Sequence, residues 1–105
     1  FSGVVEEVDE GDLIAEALGD KKVIILQNHG ILTTGPSVDI ALWFYMSMER
    51  CCQAQLMANA AGKTQLIPHE TAVKTRSFIA NDVAAWASFQ PAFDMICKKE
   101  PDLFD

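Results

Sequence analysis

The stretch from Val38 to Ala61 carries no Gly and no Pro, and it limits the fold more than any other feature. Ser37 is an N-cap candidate with Asp39 behind it, and Gly62-Lys63-Thr64 closes the run. The pattern predicts one helix of about 35 Å at 1.5 Å per residue. Apolar residues lie almost all round it: Ile40, Leu42, Trp43, Phe44, Met46, Met48, Cys51, Leu56 and Met57. Glu49, Arg50 and Gln53 form only a narrow polar arc. A helix this apolar must be covered on most sides. The rest of a 105-residue chain is too little to do that. Either a further part of the protein or another subunit is expected to pack there.

Ahead of this helix lies Val-Ile-Ile-Leu-Gln-Asn-His-Gly-Ile-Leu-Thr-Thr-Gly, from Val23 to Gly35. The apolar run Val23 to Leu26 does not alternate, so it reads as a strand covered on both faces. Ile31 to Thr34 reads as a second strand. A hairpin-like return, or a strand bend at His29-Gly30, accounts for the Gly.

The remaining segments read as helices and connections. Phe1 to Val8 is expected to be extended. Asp9 to Gly19 is expected to be a helix capped by Asp9, with an apolar stripe of Leu13, Ile14, Ala17 and Leu18 and with Gly19 at its C-terminal end. Leu66-Ile67-Pro68 is a linker, and Glu70 to Ile79 a short helix. Asn81-Asp82 caps a last helix to about Lys99, and Pro91 should kink or split it. The chain opens on Phe1 rather than Met, which suggests a piece of a longer protein.

A net charge of −7 disfavours nucleic acid and anionic membranes, which need a basic patch. No run of apolar residues is long enough for a membrane span. Cys51, Cys52 and Cys97 are odd in number and lack a C-x-x-C pair, so reduced thiols in a cytosolic protein fit best.

His29 is the first candidate for chemistry. An imidazole at a rigid strand end can bind a divalent metal, while a histidine satisfied by a hydrogen bond would look the same in sequence. His69, between Pro68 and Glu70, belongs to a helix start. No two-histidine motif completes a metal site within the chain. Glu6-Glu7 reads as a solvated pair, and Arg50 and Arg76 as surface charges. Gly30 and Gly35 fit no phosphate-loop spacing. No catalytic acid or base is assigned.

The Asn28-His29-Gly30 stretch, followed by Ser-Val-Asp-Ile-Ala and by Glu49-Arg50-Cys51-Cys52-Gln53, resembles the class II aldolase/adducin domain. The likeness runs from the Glu10 to Gly19 helix to Phe89-Gln90-Pro91 and is strongest to fungal and bacterial cytosolic members. It implies an α/β/α sandwich with a mainly antiparallel central sheet, usually built into a homotetramer. It implies that residues 1–105 are the C-terminal half of a single such domain, with the N-terminal half absent. Aldolases and epimerases of the family hold a divalent metal, commonly zinc, with three histidines. Two come from a His-x-His motif and one from Asn-His-Gly, so His29 would be the third ligand. The His-x-His pair, the proton-transferring Glu and the phosphate-holding loops have no match here.

The expected function is therefore that of a metal-dependent lyase on a small hydroxy-carbonyl or sugar substrate, in the cytoplasm, inactive as this piece alone. The alternative is a non-catalytic, adducin-like module that binds actin. A third reading makes Val38 to Ala61, with the sheet, an assembly element between subunits.

Overall fold

The computed structural model describes residues 8–105. The expected extended segment up to Glu7, and with it Glu6-Glu7, lies outside the described residues. In chain order the elements are α1 (Val8–Leu18), β1 (Val23–Leu26), β2 (Gly30–Thr33), α2 (Val38–Ala61), α3 (His69–Ile79) and α4 (Asp82–Lys99). A 3₁₀ turn, Pro101–Phe104, follows. The two strands form an antiparallel hairpin in which Val23 pairs with Thr33 and Leu26 with Gly30. The architecture is α/β, with helices predominating among the described residues.

The long helix has the limits expected from its flanking glycines. Ser37 stands at its N-terminal boundary in an extended conformation but makes no side-chain capping bond to the helix backbone. Its hydroxyl is instead engaged with the Asp39 carboxylate. The chain turns tightly from β2 into α2 at Gly35. A Cβ there would meet Ala41 N at 2.9 Å and Ile40 Cγ2 at 3.0 Å, so the helix approaches closely only because the residue is Gly. Thr33 Oγ1 donates to Ala41 O at 2.9 Å and fastens β2 to the first turn of α2.

The core lies where α2 crosses α4. Ile40, Phe44 and Ala85 are buried, with Val23, Trp43 and Ala80 packed against them. Lys22 Nζ sits 4.9 Å from the centroid of the Phe44 ring and 3.1 Å from Asp82 Oδ1. One side chain thus joins the start of β1 to α2 and to the first turn of α4. Asn81 joins α3 to α4: its Oδ1 accepts from Ala84 N at 2.8 Å, and its Nδ2 donates to Phe78 O at 2.8 Å.

Several expectations meet the structure in part. Helix α1 is present from Val8, and the expected cap by the Asp9 side chain lies outside the described residues. Strand β1 is not fully covered on both faces: Ile25 is 61% exposed, at the open edge between α1 and α2. The hairpin-like return expected at His29-Gly30 is present, and its positive φ, +59°, falls on Asn28 rather than on Gly30. Of the two outcomes expected at Pro91, a kink or a split, the split does not occur: α4 runs from Asp82 to Lys99 through it. Proline removes one N–H from the ladder, and the turns on either side hold the helix together.

Beyond Cys52 the second half of α2 is exposed on all sides, with Leu56 70% and Met57 65% accessible. The radius of gyration is 16.5 Å. A compact domain of this length would have about 13 Å.

Candidate functional site

The site is built at the hairpin tip. Leu26 and Gly30 are the last paired residues, which leaves Gln27, Asn28 and His29 as the loop. His29 N donates to Leu26 O at 3.1 Å and closes the turn. A three-residue return needs one residue in the left-handed region, and Asn tolerates it better than other non-glycine residues. Asn28 takes that conformation and thereby fixes where the next residue stands.

His29 is exposed, as are Gln27, Asn28 and Gly30. A Cβ on Gly30 would meet nothing within 4 Å, so open space lies beside the imidazole's backbone. The hairpin is anchored at its other end by Thr33 and by Thr34 N, which donates to Lys22 O at 2.9 Å. The turn is therefore a short rigid arm with an accessible imidazole at its end. A cleft of about 310 Å³ opens between α1 and β1, walled by Leu13, Ile14, Ala17, Ile25 and Leu26, with Glu10 among its lining.

Among the described residues no group of three or more His, Cys, Asp or Glu side chains is placed to hold a metal ion. His69 begins α3 and is exposed, as its sequence position suggested. Arg50 is exposed. Arg76 lines a groove with Lys22, Ser77 and Asn81, where Lys22 and Asn81 already have partners. It also lies near Asp20, whose carboxyl is held below its ordinary value mainly by the hydrogen bond from Lys21. All three cysteines are free. No helix among the described residues is long and apolar enough to cross a membrane.

Sequence reasoning missed one polar cluster. Gln90 Nε2 lies 3.4 Å from Asp39 Oδ2, bridging α4 to the start of α2 beside an apolar cavity of about 300 Å³. The Ser37 hydroxyl, followed by backbone and Gln90 hydrogen bonds, holds the Asp39 carboxyl below its ordinary 3.8 against the opposing effect of burial. Ser37 and Asp39 were visible as a helix start; Gln90, far along the chain, carried no signal of its own.

Comparison with known proteins adds four findings. The Class II Aldolase and Adducin N-terminal domain matches residues 3–56. Decarboxylase NovR of Streptomyces niveus is 39% identical over 103 residues, which are 98% of this chain and 38% of that protein. Alpha-adducin of Rattus norvegicus is 34% identical over 83 residues, 73% of this chain and 11% of that protein. Among solved structures, L-fuculose 1-phosphate aldolase from Glaciozyma antarctica PI12 superposes with a TM-score of 0.86 at 38% identity, over 91% of this chain and 39% of that one. The chain thus spans about two fifths of the length of decarboxylase NovR and of the L-fuculose 1-phosphate aldolase chain.

Proposed function

The chain belongs to the class II aldolase and adducin family, and from that premise we propose that it is part of a metal-dependent lyase acting on a small hydroxy-carbonyl or sugar substrate. In this reading His29 is one metal ligand. The observation that carries it is the Asn28-His29-Gly30 turn: an exposed imidazole on a pinned hairpin, with space beside it for groups from elsewhere in the protein.

The reading also takes residues 1–105 as the later portion of a single domain. Its two-stranded sheet would be extended by strands outside the chain into an α/β/α sandwich, and its open α2 and sheet surfaces would be covered by that remainder and by other subunits, as in a homotetramer. A cytoplasmic location agrees with the free cysteines.

A divalent cation, with zinc favoured by an imidazole donor, would supply Lewis-acid stabilisation of negative charge on a substrate oxygen. This chain's contribution is positional. The positive φ of Asn28 and the turn bond to Leu26 O shape the turn that carries the imidazole, and the Thr33 bond to α2 keeps the arm from swinging. Ligand preorganisation of this kind is what a metal site needs from its scaffold. Aldol cleavage and decarboxylation both break a carbon–carbon bond and leave an electron pair to be stabilised. Relatives named for either reaction therefore agree with one site chemistry.

The second reading is a non-catalytic module, as the similarity to alpha-adducin allows. One assay separates the two. The whole protein is given a panel of small hydroxy-carbonyl compounds, L-fuculose 1-phosphate included, with and without EDTA, and aldehyde release is followed. The enzyme reading expects turnover that EDTA abolishes and Zn²⁺ restores. Absence of turnover across the panel, with co-sedimentation on actin filaments, would favour the module.

A further inference from the structure

We propose that the cavity between the first turns of α2 and the middle of α4 binds a small organic ammonium ion with an apolar tail. The cavity has a volume of about 300 Å³ and is lined by Val38, Asp39, Leu42, Phe89, Gln90 and Phe93. At a liquid water's share of about 30 Å³, that is room for roughly ten non-hydrogen atoms. Both walls come from this chain. The lining residues of α2 stand ahead of its open second half, and Leu42 lies about 120° round the helix from Met48, which lines a separate cavity with Ile25 of the hairpin. The cavity is thus distinct from the open half of α2 and from the sheet, the surfaces that the proposed function leaves to the remainder of the protein and to other subunits.

The polar end selects a cation. Among the described residues of the lining, Asp39 alone is charged. The ion pairs among the described residues are Lys21–Asp20 and Lys22–Asp82, so no basic side chain there neutralises Asp39. Donors from the Ser37 hydroxyl, the backbone and Gln90 hold its carboxyl below its ordinary value, so it is ionised at neutral pH. Gln90 supplies a second acceptor. Its Nε2 donates to Trp86 O at 3.0 Å and lies 3.4 Å from Asp39 Oδ2, which occupies the nitrogen and leaves Oε1 without a partner among the described residues. Amide bonds of about 1.23 and 1.33 Å join Oε1 to Nε2 through one carbon, so Oε1 stands within about 6 Å of Asp39 Oδ2. An ammonium placed between the two oxygens reaches both with hydrogen bonds of about 2.9 Å. A carboxylate or phosphate in the same place would be repelled by Asp39. The other walls are hydrocarbon. The ring centroids of Phe89 and Phe93 are 6.4 Å apart, and Phe104 packs edge-on against Phe93 at 6.3 Å, which steadies that wall. Leu42 and Phe93 are 43% and 38% exposed, and a tail lying on them removes apolar surface from water.

The test is isothermal titration calorimetry of the whole protein at neutral pH with 2-phenylethylamine, beside its neutral and anionic counterparts, 2-phenylethanol and 3-phenylpropionate. One amine per chain is expected, with the alcohol about tenfold weaker or more and the carboxylate not bound. Asp39→Asn keeps the shape and removes the charge, and should weaken the amine about tenfold or more; Gln90→Met should weaken it about threefold. His29→Ala should bind the amine as the wild type does, because the hairpin tip is not part of the cavity. Circular dichroism establishes that each variant remains folded, and the comparison of the three compounds on the wild type stands without any variant. Absence of saturable amine binding would overturn the proposal. So would equal affinity for the alcohol, wild-type binding in folded Asp39→Asn or Gln90→Met, or loss of binding in His29→Ala, which would put the amine at the hairpin tip instead.

Discussion

Asn28 holds the only positive φ outside glycine among the described residues, and it shapes the turn that carries His29. A non-glycine residue in that region costs about 1–2 kcal/mol, a penalty that Asn reduces by local hydrogen bonding and a β-branched side chain enlarges. Asn28→Val should therefore lower stability by about 1–2 kcal/mol in urea unfolding, while Asn28→Gly should change it little. Gly35 answers to space rather than to φ. Its Cβ would press on the Ala41 backbone and the Ile40 side chain, so Gly35→Ala should cost about 1–3 kcal/mol in the same measurement. Asp39 makes the pH prediction. Its folded pKa lies below the ordinary 3.8, so its stabilising contribution is present above 3.8 and is lost as the pH falls through the lowered value. Ser37→Ala removes the largest cause of the shift. Carboxyl-carbon NMR titration should then show the Asp39 midpoint rising toward 3.8.

At the scale of elements, the hairpin and α2 behave as one unit, joined by Thr33, by the close approach at Gly35 and by Phe44 under Lys22. Phe44 is 8% exposed and lies in the small buried cluster between α2 and α4. Phe44→Ala should cost about 3–5 kcal/mol in chemical denaturation, a large share of what so small a core supplies. Much of this layout was legible in the sequence. Gly35-Pro36 and Gly62 bracket α2, Gly19 ends α1 with φ at +53°, and Asn81 caps α4 as its position suggested. The turn was legible as a turn but not in its detail. Gly30 offered the usual residue for a positive φ, and Asn28, two positions earlier, took that conformation instead. The sequence left open whether Pro91 kinks or splits α4, because the proline's effect depends on how firmly the flanking turns are held. The Asp39–Gln90 bridge joins two helices and leaves no local pattern.

For the molecule as a whole, the decisive quantity is surface. The accessible area is 8569 Å² for a mass of 11.5 kDa, whereas a compact monomer of that mass exposes about 5,800 Å². The excess, roughly 2,800 Å², falls within the range of permanent interfaces. Leu56, Met57, Phe78 and Ile79 contribute to it from α2 and α3. Produced alone, the 105-residue chain should self-associate, and sedimentation velocity should find species heavier than 11.5 kDa. A clean monomer would contradict that. His29 is one accessible imidazole, and the described residues bring no further pair of ligands to it. The most direct test of the account is the metal content of the whole protein and of its His29→Ala variant, purified in parallel and measured by inductively coupled plasma mass spectrometry. The account predicts a bound divalent metal in the wild type and its loss in the folded variant. Equal metal content in the two would contradict the assignment of His29.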